Sequence, residues 1–337
     1  MSKVTIVIPV YDAAEHIGEC LSSIVRLDYP DFEVLVVDDG SRDRTCDIVN
    51  RYVSSRLRLI RLEKNSGAAR ARNVGIGQAT GDYIAFTDSD CVVEPDWLTR
   101  LIRNFEDPRI AGVSGVYRTW NKHSSLARFI GHDMALRHQG LPDTISLVGT
   151  FNCAFTKAVL DVDRFDETQK GIFWEDVELG YRISRKHTIR MDRDTFVYHN
   201  HPSTLSGYFK RQRIRAAGQM ILRKSGGETD NYMGWTSVMQ IPVTGLLYAS
   251  MILGLIRPPW LLATLGLAGV MVGLNAGLLI YMAREERPSF MIRSTLYILV
   301  RNTAWIFGAF QGLFSRRRQP PADDSSPPSK IVEVLGL

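Results

Sequence analysis

Two groups of carboxylates close apolar runs in this chain. Asp38-Asp39-Gly40-Ser41 follows Phe32–Val37, and Asp88-Ser89-Asp90 follows Tyr83–Thr87. A carboxylate at the end of a buried strand needs donors or a cation, because burying it unpaired is costly. A nucleobase and ribose offer N–H and O–H donors to the first group. The D-x-D spacing of the second lets two carboxylates reach one hard cation that prefers oxygen ligands. Such a cation clamps a diphosphate and neutralises charge on a departing nucleotide. Taken singly, each group also reads as a turn: Asp39 as a helix cap, and Asp88–Asp90 as the approach to Glu94-Pro95. A third acidic pair, Glu175-Asp176, opens a helical pattern. At a helix start such a pair complements the helix dipole.

The elements that carry these groups alternate. Val4–Pro9 and Phe32–Val37 are continuous β-branched runs, as expected of strands buried on both faces. Leu57–Leu62 and Tyr83–Thr87 add two more strands, with helical spacing over 13–25, 44–53 and 67–78 between them. That order predicts a mostly parallel sheet flanked by helices. Ligands bind such sheets beyond the carboxyl ends of the strands, where Tyr11-Asp12, Asp38–Ser41 and Asp88–Asp90 all fall. The pattern is less regular from Trp97 to His201: a helix over 97–105, a strand over 110–118, a helix over 175–185 and a short strand over 195–199. A basic amphipathic helix follows over 206–224. Gly75-Ile76-Gly77-Gln78-Ala79-Thr80-Gly81 is nearly a dinucleotide fingerprint, but it precedes a strand instead of following one and reads as a helix end.

VTIVIPVYD at 4–12, VVDDGS at 36–41, NSGAARARNVG at 65–75 and FTDSD at 86–90 resemble, in order and spacing, the successive signatures of family 2 glycosyltransferases of the GT-A fold. The resemblance covers roughly residues 3–215. It implies an inverting transfer of a sugar from a nucleotide-diphosphate donor, with Mg2+ or Mn2+ as cofactor. By the same resemblance Asp39 binds the base, usually uracil. Asp88 and Asp90 bind ribose, diphosphate and metal, and Pro9, Tyr11 and Asp12 line the nucleotide pocket. Arg72 lies near the base and phosphates. Asp12 stands where the family more often has Asn or another small polar residue. Trp174-Glu175-Asp176-Val177-Glu178-Leu179 is similar to the family's E-D element, which makes Asp176 the base and Glu175 its substitute. The stretch 149–155, with Asn152, resembles the small-residue element under the donor sugar and acceptor. His199 matches a His that completes the metal shell in some GT-A enzymes; it reads equally as part of a polar loop with His201. Gln212-Arg213-Ile214-Arg215 is a weak match to the Q-x-x-R-W element of processive synthases, lacking its Trp, and reads equally as a basic surface helix.

The 337 residues carry a net charge of +5, which is mild, and no zinc-finger or RNP-type motif points to nucleic acid. Cys20, Cys46, Cys91 and Cys153 are widely spaced, and no N-x-[ST] acceptor occurs. Both features suit a reducing, cytosolic face. The start of the chain carries no signal-peptide pattern, since Val4–Val10 is too short and holds Pro9.

The organisation expected is a GT-A domain over 1–230, two membrane-spanning helices over 236–282, a helix over 291–314 and a disordered tail over 316–337. Thr236–Ile256 and Trp260–Met282 are free of charge, and each is long enough for the ~20 residues that a crossing needs. Arg257-Pro258-Pro259 turns the chain between them. Arg293 and Arg301 interrupt the third stretch, which reads as an interfacial amphipathic helix or, through Ala304, Gly308 and Gly312, as one packed within the membrane. The positive-inside rule then places residues 1–230 in the cytosol. The partners expected are a nucleotide-sugar donor, a lipid-linked or glycan acceptor and the membrane. A polyprenyl-phosphate acceptor is an alternative within the class. A nucleotidyltransferase would call for a basic Gly-rich loop where Pro9–Asp12 stands, and an inactive scaffold would not keep every acidic position filled.

Overall fold

The computed structural model describes residues 2–168, 175–224, 234–315 and 331–333. The chain divides into two compact units. One comprises 1–120, 141–200 and 318–337; the other comprises 121–140 and 201–317. In chain order the elements are β1 (Val4–Val10), α1 (Ile17–Ile24), β2 (Phe32–Asp38), α2 (Thr45–Asn50), β3 (Leu57–Leu62), α3 (Ala68–Gln78), β4 (Tyr83–Thr87), β5 (Cys91–Val93), α4 (Trp97–Ile102) and β6 (Ile110–Thr119). There follow α5 (Ser125–Gln139), β7 (Asn152–Thr156), α6 (Lys157–Val162), α7 (Glu175–Ser184), β8 (Thr188–His199) and α8 (Leu205–Lys224). The last are α9 (Trp235–Ile256), α10 (Trp260–Leu274), α11 (Ala276–Ala283), α12 (Pro288–Phe314) and β9 (Ile331–Glu333).

The first unit is built on one mixed sheet of order β5-β8-β6-β7-β4-β1-β2-β3-β9. Strands β3, β2, β1 and β4 run parallel. β7 is antiparallel to both β4 and β6, and β8 is parallel to β6. The apolar runs are continuous because both faces of the sheet are covered. In β2, Val34 and Val36 join one core cluster with Ile17, Leu21 and Ile24 of α1, while Leu35 and Val37 join another with Ala71 and Val74 of α3.

The sheet opens where the chemistry is expected. β1 pairs with β2 over Val4–Val10 but with β4 only over Val4–Val7. Beyond Val7 the β4 side of β1 is unpaired, so Pro9, which has no N–H, costs this inner strand no ladder bond there. The chain crosses from β3 to β4 on the other side of β1, which makes this split the switch point of the topology.

Parts of this unit depart from the expected pattern. β5, β7 and α6 were not expected, and the strand expected at 195–199 begins at Thr188. β8 is interrupted after Asp192, whose carboxylate accepts from the N–H of Asp194 and Thr195 and from Thr195 Oγ1. The ladder with β6 shifts register there. Within the expected tail, Ile331–Glu333 pairs antiparallel with β3, and 316–330 and 334–337 lie outside the described residues.

The second unit gathers α5, which was not expected, and α8–α12. Helix α9 is long and apolar enough to cross a membrane, and α10 with α11 would form a second span if the pair is counted as one. The expected continuous helix over 260–282 is bent by 64° at Asn275. Asn275 Nδ2 donates to Met271 O at 2.9 Å, the kind of local bond that competes with helix geometry. Asn275 Oδ1 in turn accepts from Arg301 Nη2 at 2.9 Å.

Arg301, which appeared as an interruption of the third apolar stretch, is 1% exposed. Its guanidinium donates to Asp133 of α5 (3.0 Å) and to Gln240 of α9 (2.8 Å) as well as to Asn275. It also lies over the Trp305 ring, whose Nε1 donates to Gln212 of α8. Gly308 and Gly312 of α12 face the backbone of α8 so closely that a Cβ at either would overlap it. The small-residue face of α12 therefore packs on α8. Arg301→Met leaves Asp133 with Arg137 as its cation but strips Gln240 and Asn275 of their buried donor, so it is expected to destabilise the chain by about 1–3 kcal/mol. Thermal unfolding in detergent checks this; an unchanged midpoint would contradict the assignment.

Candidate active site

Every acidic group singled out in the sequence lies in the first unit, and each has acquired a definite partner. Asp38, at the end of β2, is wholly buried and faces Arg61 Nε at 3.3 Å. It accepts from Ser41 N and from Cys46 Sγ. Asp38 is thus a turn anchor. Asp39 Oδ1 and Oδ2 accept from the N–H of Ser66 and Gly67, each at 2.7 Å, and so tie the β2 end to the loop that starts α3. Gly40 between these loops has φ +75°, and a Cβ there would meet the Lys64 backbone at 2.9 Å, so only glycine fits.

The β1 end is locked to the same turn. Asp12 has φ +46°, a left-handed conformation that Asn and Asp tolerate better than most residues. Its Oδ1 accepts from Arg42 N at 2.8 Å, and its N–H donates to Ser41 Oγ at 2.9 Å. The Asp at this position therefore keeps the backbone role that Asn would fill. Tyr11 beside it is 42% exposed, and Pro9 is partly buried in the last turn of the strand.

The second acidic group meets the third through Arg72. This guanidinium, 5% exposed, donates from Nη1 to Glu175 Oε1 at 2.8 Å and from Nη2 to Asp88 Oδ1 at 3.1 Å. It also lies over the Phe165 ring. The next residue, Asn73, holds the 165–167 segment through bonds with Phe165 and Glu167. A-R-N thus ties α3 to the strand-end acids and to the start of α7. Burial, reinforced by Asp90 beside it, pushes the Asp88 carboxyl above the usual carboxylate range even with Arg72 in contact. Asp176 is pushed up to about 7 by burial and then by the neighbouring Glu175 charge. Arg72 and the bond from Val177 N to Asp176 Oδ1 oppose that rise. Trp174 and the rest of 169–174 lie outside the described residues.

Asp90 turns to the other side. His199, at the end of β8, pairs with Cys91 in the ladder and holds Nε2 3.6 Å from Asp90 Oδ1. Potential ligand atoms of Asp90, Cys91 and His199 lie within 4.8 Å of one another. Burial raises the Cys91 thiol well above its ordinary value, and sulfur is a soft ligand that suits a hard cation poorly. The donor set left is a carboxylate and an imidazole, with Asp88 one residue removed on the D-x-D turn. That set fits Mg2+ or Mn2+, hard cations that favour oxygen.

Asn152 departs from expectation. It is wholly buried in β7, where Oδ1 accepts from Trp97 Nε1 at 2.8 Å and Nδ2 donates to Val116 O and Thr195 O. Both its N–H donors are spent inside the sheet, so Asn152 holds β6, β7 and β8 together and does not face a ligand. The link from Arg72 to Glu175 spans 103 positions. Sequence reading missed it, because no local pattern couples an Arg on α3 to an acid on α7.

The model of the family described as glycosyl transferase family 2 matches residues 5–162. The chain is 30% identical over 227 residues to poly-beta-1,6-N-acetyl-D-glucosamine synthase of Staphylococcus aureus (strain COL), covering 64% of this chain and 54% of that protein. The synthase of the same description from Staphylococcus epidermidis is 29% identical over 217 residues, covering 61% of this chain and 52% of its own. The chain therefore spans about half the length of the curated relatives it matches. Among solved structures, the mannosyltransferase PcManGT from Pyrobaculum calidifontis, in complex with GDP-Man and Mn2+, matches with a TM-score of 0.60 at 18% identity, covering 93% of this chain and 87% of that one. This is a likeness of fold, the GT-A-like α/β fold with a mixed sheet.

The raised Asp176 carboxyl has a sign that stability reports. Its proton is held more tightly in the folded chain than in the unfolded one, where the ordinary value is 3.8. This contribution is full below that value and is lost as pH rises through about 7. Asp176→Asn, which cannot ionise, is expected to be more stable than the wild type at pH 8, with a gap that shrinks towards pH 5. Thermal midpoints across that range check it; a gap independent of pH would contradict the raised value.

Proposed function

We propose that the chain is a glycosyl transferase of family 2, whose model matches residues 5–162, and that it transfers a sugar from a nucleotide-diphosphate donor, UDP-linked, to an acceptor hydroxyl with inversion at the anomeric carbon. The observation that carries this reading is the Arg72 bridge. One guanidinium holds a D-x-D carboxylate, Asp88, and the helix-opening acid, Glu175, so that donor-binding and proton-accepting groups share one buried position.

In the proposed mechanism Asp39 and the Tyr11–Asp12 turn receive the nucleoside. Asp88, Asp90 and His199 would hold Mg2+ or Mn2+, which would supply positive charge to a leaving diphosphate. Asp176 takes the proton of the acceptor hydroxyl as that oxygen bonds to the anomeric carbon. The bond from that carbon to the diphosphate breaks on the opposite face, and its electron pair leaves with the nucleotide. A base of pKa near 7 is matched to this work at neutral pH. Arg72 keeps a cation beside the acidic groups while no donor is bound, and it can turn towards the donor's phosphates when one arrives. The mannosyltransferase of similar fold, solved with GDP-Man and Mn2+, is in keeping with a metal-assisted reading.

The apolar helix α9, and α10 with α11, support attachment to a membrane with the catalytic unit on the cytosolic face. A membrane-attached transferase suits an acceptor presented at the bilayer, and we take a lipid-linked glycan as that acceptor. Transfer to a polyprenyl phosphate would replace the acceptor hydroxyl with a phosphate oxygen and would lower the demand on a base.

The direct test is donor turnover by the full chain with a panel of UDP- and GDP-sugars, with and without Mn2+. Mn2+-dependent binding and turnover of a UDP-sugar is expected; neither with any donor would overturn the reading. Asp176→Asn should keep donor affinity and lose kcat by about 10²–10⁴, the usual worth of a general base. Undiminished turnover in that variant would remove Asp176 from the role.

A further inference from the structure

A cavity of about 310 Å3 in the helical unit lies apart from every group used above. It is lined by Arg128 of α5, by Glu285, Glu286 and Arg287 between α11 and α12, and by Ser289, Phe290 and Arg293 of α12. Its charges are not balanced. Arg128 Nε donates to Glu286 Oε1 at 2.9 Å, and its guanidinium lies over the Phe290 ring at 5.1 Å, so this wall is fixed and neutralised. His132 also meets Glu286, at 3.1 Å, and faces Glu285 at 3.8 Å. The Glu285 side chain is 60% exposed at the rim. Arg287 and Arg293 are exposed, and among the described residues neither side chain has an ion-pair partner. Arg287 and Arg293, next to a ring and a hydroxyl and with Glu285 at the rim, present donors of the kind that a phosphate group takes.

The place of the cavity along the chain says which phosphate. Helix α11 ends the long apolar stretch at Ala283, and the charged run Arg284–Arg287 begins at once. Ile280 before that run is 59% exposed, and Ile292 and Leu296 after it are 76% and 50% exposed. Bare aliphatic side chains thus flank the arginines on both sides, the pattern of a chain crossing from hydrocarbon to the head-group layer.

We propose that the Arg128–Arg287–Arg293 cavity binds the phosphate of an anionic membrane lipid head group. This inference rests on the membrane-attached reading above. It gives that attachment a lipid-specific contact which the apolar helices alone would not supply.

The test uses the full chain in a neutral detergent, titrated with dioctanoyl phosphatidylglycerol, dioctanoyl phosphatidylcholine and inorganic phosphate, with bound lipid counted by native mass spectrometry. Saturable binding of the phosphatidylglycerol is expected. Arg287→Ala with Arg293→Ala should weaken it about thirtyfold, the effect of two surface cations beside an anionic head group. The pair Arg257→Ala with Arg284→Ala removes the same charge outside the cavity and should change it little. Arg287→Lys with Arg293→Lys should restore most of the affinity. Donor turnover should be unchanged in all of these variants. The proposal is overturned if both alanine pairs weaken binding equally, if neither does, if phosphatidylcholine binds as well, or if inorganic phosphate displaces the lipid. Sedimentation with phosphatidylcholine vesicles separates the two readings. Wild type and variants that all insert but bind lipid alike would sink the cavity alone. Failure of every form to insert would sink the membrane attachment.

Discussion

The site depends on how a folded chain tolerates several carboxylates crowded at the ends of buried strands. Burial, and then the Asp90 charge, raises the cost of ionising Asp88, while burial and then Glu175 raises that of Asp176. One cation, Arg72, meets two of them directly. Without it the N-terminus of α7 and the D-x-D turn would repel each other, and the acids would protonate or move apart. The compensation is incomplete, since Asp176 stays raised while the guanidinium contacts Glu175. Incomplete neutralisation leaves attraction for a further cation, and it leaves one carboxyl poised near neutrality. Two properties that the proposed function calls for therefore follow from one shortage of positive charge.

The helical unit meets the same constraint with Arg301. An arginine inside an apolar helix is expensive unless its donors are satisfied, and Arg301 finds Asp133, Gln240 and Asn275 on separate helices. Arg137 adds a second cation to Asp133 at 3.2 Å, and the Asp133 carboxyl lies below the usual range in spite of its burial. The polar centre thus specifies which helices meet. Gly308 and Gly312 then set how closely α12 approaches α8. A bend at Asn275 follows from this centre too, because an unbroken helix there would leave its side-chain amide without the role it has.

What could be read in advance was local. The β-branched runs at 4–10, 32–38 and 57–62 are legible because strands buried on both faces need no alternation. Asp12 and Gly40 are legible because left-handed backbone admits few residue types. β7 was hidden because five residues, NCAFT, carry no period that separates a strand from a turn. Most of β8 was hidden because RMDRDT is polar, and its bulge is built by Asp192 with residues two and three positions away. Asn152 was assigned to the ligand side because its element lies in the right order along the chain. Order does not say which way a side chain points, and Trp97, Val116 and Thr195 use its amide instead.

The four strand-end acids show how far residue type and spacing carry a function. Asp38 and Asp39 are adjacent, yet strand geometry sends them to opposite faces: Asp38 to Arg61 and Cys46, Asp39 to the loop that starts α3. Asp88 and Asp90 share one turn, yet one answers to Arg72 and the other faces His199. An acidic pair in a sequence is therefore two questions, and the backbone answers them separately. For the D-x-D turn, a cation bound by both acids has to compete with Arg72 for Asp88. A guanidinium already in contact would make metal binding and donor binding, as proposed, mutually dependent. Under the proposed function, a donor diphosphate would bring negative charge able to compete for Arg72, and Asp88 would then be free to turn towards a cation. That dependence comes from charge balance and distance alone, and it would hold for any sugar the donor carries.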